Sequence, residues 1–226
     1  MTTFTGTTAF SSANVYTTVA DIKALLPDNS AAFGTSMDVL YGTLITQASR
    51  MIDAHLAREP GAFSVNAEVT RYFDGNGKLT LFIGELAAVP SAVKVAESGD
   101  VDGSGGTGGT YTTWAASDYF PEPYNALAQK RPIHWLTIDV QNGSKAIWYA
   151  FKKSVKITGY FGFATTANLP DEIVHATKIQ VVRWWKRASQ AYADAGANPM
   201  LGELAFVKKL DPEVEVILSA RKFRWP

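Results

Sequence analysis

Two neighbouring stretches have residue types and spacing that could hold a ligand. Gly103-Ser104-Gly105-Gly106-Thr107-Gly108 matches G-x-G-x-x-G, in which glycines let backbone amides approach a pyrophosphate. That chemistry needs a strand before the glycines and a helix opening on them. Here the strand-like Thr110-Tyr111-Thr112-Thr113-Trp114 follows, and no Lys follows the glycines as in a phosphate loop. The run reads as a loop, 99–109. Asp100-Val101-Asp102-Gly103-Ser104 has the opening spacing of a calcium loop, but its twelfth position is Tyr111, where a bidentate Glu is needed. A turn inside a β-hairpin is the better reading.

Catalytic chemistry finds little support. His55, His134 and His175 are isolated from one another and from a suitable acid pair, so no metal pattern arises and structural or surface roles are expected. No nucleophile elbow frames a Ser. Asp171 and Glu172 are adjacent, so a helix points them about 100° apart, which is poor geometry for a carboxylate pair. The chain reads as a non-enzyme without cofactor or metal.

Charge and aromatics near the C-terminus suggest contacts instead. Lys178, Arg183, Lys186 and Arg187 form a basic helix face, either solvated or meeting an acidic neighbour or phosphates. Trp184 and Trp185 are consecutive, so one is expected in the core and the other elsewhere, a candidate assembly contact. Arg221, Lys222, Phe223, Arg224 and Trp225 combine cations with two large aromatics and have nothing of their own to bury against.

These residues must be positioned by identifiable elements. Residues 1–17 are Thr-rich without helical period and read as a flexible arm. Thr18 and Asp21 have capping-box spacing ahead of a helix over 18–26. Thr35 and Asp38 repeat it, and Leu40, Leu44, Ile45, Ala48, Met51, Ile52 and Leu56 give a helix over 36–58. Val69–Phe73, Asp74-Gly75-Asn76-Gly77 and Leu79–Ile83 read as a β-hairpin. Further strands are expected at 92–96, 111–114, 134–138, 146–149 and 155–160, paired antiparallel because no crossover helix intervenes. Pro170 opens a helix over 170–195, with Trp184 in its stripe and Gly196 as its cap. A last helix spans 211–221.

The fold class is therefore α+β: a small bundle of N- and C-terminal helices with an inserted antiparallel β region. The expected boundaries are 18–64 with 164–221 for the bundle, 65–163 for the β domain and 222–226 for a tail. Ile45, Ala48 and Ile52 should meet Val181, Trp184 and Ala188.

Composition excludes several classes. The chain has 226 residues and no Cys, so disulfides, thiolate metal sites and cysteine nucleophiles are absent. Lys plus Arg balance Asp plus Glu at 21 each, which argues against wrapping nucleic acid non-specifically. There is no apolar run of about 18 residues, so no membrane span, and Met1–Phe10 lacks a basic region and is not a secretory signal.

The order of features resembles the head–tail connector (adaptor, head completion) proteins of long-tailed bacteriophages. Three stretches carry it: Tyr16–Leu26 with Leu44–Asp53; Val69–Gly77; and Val155-Lys156-Ile157-Thr158-Gly159-Tyr160-Phe161-Gly162-Phe163 followed by Leu169–Thr177. The long β region with its Gly-rich loop and the Phe/Arg/Trp tail depart from the small members. The resemblance implies a virion protein assembled in the host cytoplasm: a homo-oligomeric ring of twelve copies below the portal protein, extending the DNA channel and offering a platform to a tail-side connector or tail terminator. Genomic DNA would enter only as channel contents. Arg221, Lys222, Phe223, Arg224 and Trp225 would dock the portal, and Lys178, Arg183, Lys186 and Arg187 would face a neighbouring subunit or the channel. The alternative is a carbohydrate- or host-surface-binding β module using the aromatic region.

Overall fold

The computed structural model describes residues 14–26, 34–97, 110–189, 195–197, 204–206, 210–219 and 221. The chain divides into two compact units, Met1–Gly61 with Pro170–Pro226, and Ala62–Leu169. The fold class is α+β, with helices and one two-stranded ribbon in the first unit and two antiparallel sheets in the second.

In the helical unit, α1 (Val19–Leu25) starts at a complete capping box in which Thr18 and Asp21 satisfy each other's backbone N–H. α2 (Gly34–His55) begins before Thr35, so Thr35 lies inside the helix rather than capping it. Its buried face is Tyr41, Ile45, Ala48 and Ile52, at three- and four-residue spacing. That face packs against α3 (Asp171–Ser189), whose Val181 shares one core with Ile22, Leu26, Tyr41, Ile45 and Ala48. α4 (Pro212–Ser219) buries Val214 and Leu218. Asp211 caps it by accepting from the Glu213 N–H at 2.9 Å.

Several expectations shift here. Residues 14–17, assigned to the arm, belong to the helical unit, with Tyr16 fully buried and Thr17 nearly so. Trp184 and Trp185 both flank the core partly buried, because the inner stripe of α3 is Ile173, Ala176, Thr177, Gln180 and Val181. The helix does not reach 195: Ala195–Ala197 forms β8, paired antiparallel with β9 (Leu204–Phe206), so Gly196 is a strand residue and not a cap. α4 is shorter than 211–221 at both ends.

The β unit contains two sheets. One has the order β1 (Val69–Phe73), β7 (Val155–Gly159), β3 (Ala92–Val95), β4 (Thr112–Thr113). The other has the order β2 (Thr80–Leu86), β6 (Ile133–Ile138), β5 (Tyr119–Glu122). Alternate residues such as Val93 and Val95, Val155 and Ile157, Leu81 and Ile83 point into one core. Trp114 and Trp148 stack in it, 4.7 Å between centroids.

The expected hairpin over 69–83 is not one. β1 pairs with β7 and β2 pairs with β6, so the Gly-containing segment 74–79 carries the chain from one sheet to the other. Its backbone finds partners in the segment 148–154 instead of across a turn. The N–H of Gly75 donates to Ser154 Oγ and to the Phe151 carbonyl, and that of Gly77 to the Trp148 carbonyl at 2.7 Å. A Cβ on Gly75 would fall on the Tyr149 carbonyl oxygen, which is why glycine stands there. For the same reason 146–149 is not a strand: Trp148 N–H and Nε1–H donate to the carbonyls of Lys78 and Leu79 rather than to a ladder. β5 (Tyr119–Glu122) lies outside the strands that the sequence predicts. Among the described residues β5 pairs with β6 alone, which puts Pro121 on an edge strand, where its missing N–H costs no ladder bond.

Candidate functional site

The basic face of α3 is largely spent on the bundle itself. Lys178 Nζ lies 3.4 Å from Asp21 of α1, and Arg183 Nη1 lies 3.1 Å from Asp211. Asp211 also donates its N–H to Gln180 Oε1 at 3.1 Å, so α3 grips the start of α4 at two places. Lys186 is exposed and Arg187 half-buried, both in the last turn of α3, where cations suit the helix dipole. Arg221 pairs with Glu172, and its carbonyl accepts from Arg58 at 3.0 Å. It thereby ties the end of α4 to α3 and to the segment after α2. Lys222, Phe223, Arg224 and Trp225 lie outside the described residues, as do Asp100, Asp102 and the Gly103–Gly108 run.

A buried polar cluster that the sequence did not signal sits at the inner end of α2. Asp53 is buried and accepts from the Tyr16 hydroxyl and from the Gly61 N–H at 2.9 Å, with Arg50 Nε at 3.2 Å. Desolvation nonetheless wins and holds its carboxyl above the usual carboxylate range. Tyr16 N–H donates to Ser49 Oγ at 3.2 Å, and Arg50 stands over the Tyr16 ring. Through Tyr16, Ser49 and Asp53 the cluster is a structural clamp that staples the segment before α1 onto α2.

In the β unit, Asp118 and Asp139 fasten the segment after β6. Asp118 accepts from the N–H of Ser144 at 3.0 Å and of Ala115 at 2.8 Å, and the Ser144 bond leads in holding its carboxyl below the usual range. Asp139 is held low by Asn142, whose Nδ2 and N–H both donate to it. His134 Nδ1 lies 3.0 Å from the Gly84 carbonyl, a structural contact. Among the described residues no group of three or more His, Asp or Glu is placed to hold a metal ion.

The two sheets present different outer faces. On the three-stranded sheet Phe82 and Trp135 are register partners 5.9 Å apart, and Phe120 packs against Tyr124, which is 69% exposed. On the four-stranded sheet Tyr72 pairs with Lys156, Lys156 with Lys94, and Lys94 with Thr113 in one cross-strand row. Lys156 Nζ stands 5.6 Å from the Tyr72 ring and 5.9 Å from the Tyr111 ring. The sequence hid this row because its members lie far apart, and only the strand pairing brings them together.

No protein-family model matches the chain, and no curated protein matches it. Among solved structures it is similar to chains of gene transfer agent particles. One, from the neck of an empty particle computed with C6 symmetry, is 14% identical with TM-score 0.46, covering 84% of this chain and 81% of that one. Another, from the virion of the native particle, is 14% identical with TM-score 0.49 over 92% and 90%. A third, from the neck of the native particle computed with C12 symmetry, is 14% identical with TM-score 0.45 over 88% and 90%. Likeness at this level assigns no function to this chain.

Proposed function

We propose that the chain is a structural protein of a tailed-phage-like virion: a head-to-tail adaptor whose copies form a twelve-membered ring below the portal. The ring extends the DNA channel and offers the tail side a platform. The observation that carries this reading is the split bundle, in which α2 packs on α3 through Ile45, Ala48 and Val181 although the whole β unit lies between them in sequence. That is the organisation implied by the resemblance of Tyr16–Leu26 with Leu44–Asp53, of Val69–Gly77, and of Val155–Phe163 with Leu169–Thr177 to connector proteins. A chain whose buried acids and bases are committed to staples and ion pairs also suits a scaffold better than a catalyst.

In this reading Arg221, held by Glu172, begins the portal-docking segment, and Lys222, Phe223, Arg224 and Trp225 continue it to the portal. Lys178 and Arg183 hold the subunit together through Asp21 and Asp211, and the basic face Lys178, Arg183, Lys186 and Arg187 turns towards a neighbouring subunit or the channel. Deleting residues 222–226 while keeping Arg221 tests it. The truncated protein should keep its melting midpoint and lose co-sedimentation with portal-bearing heads. Undiminished binding to heads would sink the tail's role, and absence of rings in negative-stain images, alone and with the portal, would sink the adaptor reading.

The outward Phe82–Trp135 pair and the exposed Tyr124 favour one second reading, a module that stacks sugar rings on aromatics. Glycan-array binding by the monomer would decide for it.

A further inference from the structure

The corner at which the chain crosses between the two sheets of the β unit also gathers positive charge. Segments 74–79 and 147–153 are joined there by backbone hydrogen bonds: Gly75 N–H to the Phe151 carbonyl, Gly77 N–H to the Trp148 carbonyl and Trp148 N–H to the Lys78 carbonyl. Lys78, Lys152 and Lys153 are exposed on these joined segments. The two segments hold one acid, Asp74, whose Oδ1 accepts from the Lys153 N–H at 2.7 Å. Among the described residues none of the three ammonium groups has a carboxylate partner. Three cations stand against one anion, so the corner is locally positive although the whole chain is neutral.

Lys153 is held there against its backbone preference. Its φ is +53°, in the left-handed region that a Cβ disfavours. Asp74 binds its N–H and the Tyr111 hydroxyl donates to its carbonyl at 2.8 Å, so the conformation is fixed from both sides. Glycine would take this turn without strain, yet a lysine stands in it. Strained positions of this kind collect at functional sites.

The residue types select the partner. Protein interfaces are enriched in arginine and depleted in lysine, and these segments carry three lysines and no arginine. A lipid surface takes up projecting apolar side chains, but Leu79, Ile147 and Phe151 are 44%, 38% and 39% exposed, so more than half of each is already covered. Lysine meets phosphate as a point charge and needs no groove to do so. We propose that Lys78, Lys152 and Lys153 bind the phosphate backbone of duplex DNA without reading its sequence. The contact is local and does not wrap the duplex, in keeping with the neutral chain. It goes beyond the adaptor reading and does not depend on it, since a single free subunit would make it.

Fluorescence anisotropy of a labelled duplex of about 20 base pairs, titrated with the full chain at low and at physiological salt, tests this. Wild type should bind at low salt and weaken as salt rises. Lys78→Gln/Lys152→Gln, which alters only exposed side chains, should bind at least about tenfold more weakly, with a shallower salt dependence. Lys153→Gly removes a charge and relieves the left-handed turn. It should melt at or above wild type and still bind less well, which separates lost contact from lost folding. Lys130→Gly is the matched control: Lys130 is an exposed lysine at φ +52° ahead of Ile133, where β6 begins, whereas the corner adjoins Ile138, where β6 ends. It should bind duplex as wild type does. Undiminished binding by the corner variants, or an equal loss in Lys130→Gly, overturns the proposal. So does a wild type that ignores duplex at low salt; binding of phosphatidylserine vesicles or polyglutamate in its place assigns the corner to a membrane or to an acidic protein.

Discussion

The phenol of Tyr16 donates its hydrogen bond to the carboxylate of Asp53, 37 residues further along the chain, with both side chains buried. Tyr16→Phe keeps the ring and removes the donor, leaving a buried carboxylate oxygen short of a partner. The expected cost is about 1–3 kcal/mol in the helical unit. Asp53→Asn in the Tyr16→Phe background should cost less than the sum of the two single changes, because they share one interaction. Urea denaturation of the four proteins measures this, and strict additivity would show that the pair is not coupled.

Asp53 of the helical unit and the aspartates of the β unit should respond to acid with opposite sign. Burial holds Asp53 above the unfolded carboxylate value of about 3.9, so the folded helical unit takes up its proton first. Its stability therefore rises as pH falls through the raised pKa towards about 4. Asp118 and Asp139 are held low, so their contribution is complete above about 3.9 and is lost as pH falls below it towards their folded values. Asp21, held low chiefly by Thr18, behaves like them below that point. Hydrogen exchange resolved by unit, from pH 7 to 3, checks this; parallel loss in both units from neutrality downward would refute it.

Two glycines of one segment should differ sharply. Gly75→Ala drives a Cβ into the Tyr149 carbonyl, a backbone atom that cannot step aside. It should cost at least about 3 kcal/mol or prevent the β unit from folding. Gly77→Ala meets only Ala150 Cβ at 3.7 Å, and its penalty is the left-handed φ of +70°, about 1–2 kcal/mol. Thermal melts of both variants decide, and equal costs would place the crossing between sheets elsewhere.

Trp148→Ala should be far worse than Trp184→Ala. Trp148 is fully buried, stacked on Trp114 and bonded to the Leu79 carbonyl, so about 3–5 kcal/mol is expected. Trp184 only flanks its core, and about 1–2 kcal/mol is expected. Denaturant midpoints at constant slope give both values.

Much of this architecture was legible where physics is local. The Thr18–Asp21 box, the α2 stripe and the strands at 92–95, 133–138 and 155–159 follow from spacing and alternation alone. The partner of a strand does not. Asp74-Gly75-Asn76-Gly77 has the composition of a tight turn, yet its glycines serve close approach to 148–154, a demand set by tertiary contact. Trp148 reads as a strand residue for the same reason: its alternation is real, but its hydrogen bonds go to a corner. The basic face of α3 was visible as charge, and its neutralisation by Asp21 and Asp211 was not, because those acids arrive from other helices. Tyr72, Lys94 and Lys156 are each unremarkable in sequence and form a surface only once three strands are in register.

The split of the helical bundle sets a schedule for synthesis. A ribosome releases α1 and α2 early, with Tyr41, Ile45, Ala48 and Ile52 awaiting a helix that has not yet been made. Every strand pairing of the β unit lies within residues 62–169, so that unit can finish while the chain is still growing. The bundle closes only when α3 and α4 emerge. Emergence of α3 and α4 is therefore the gate for a finished bundle, and a chain cut short after the β unit would be half-folded, with the apolar face of α2 uncovered.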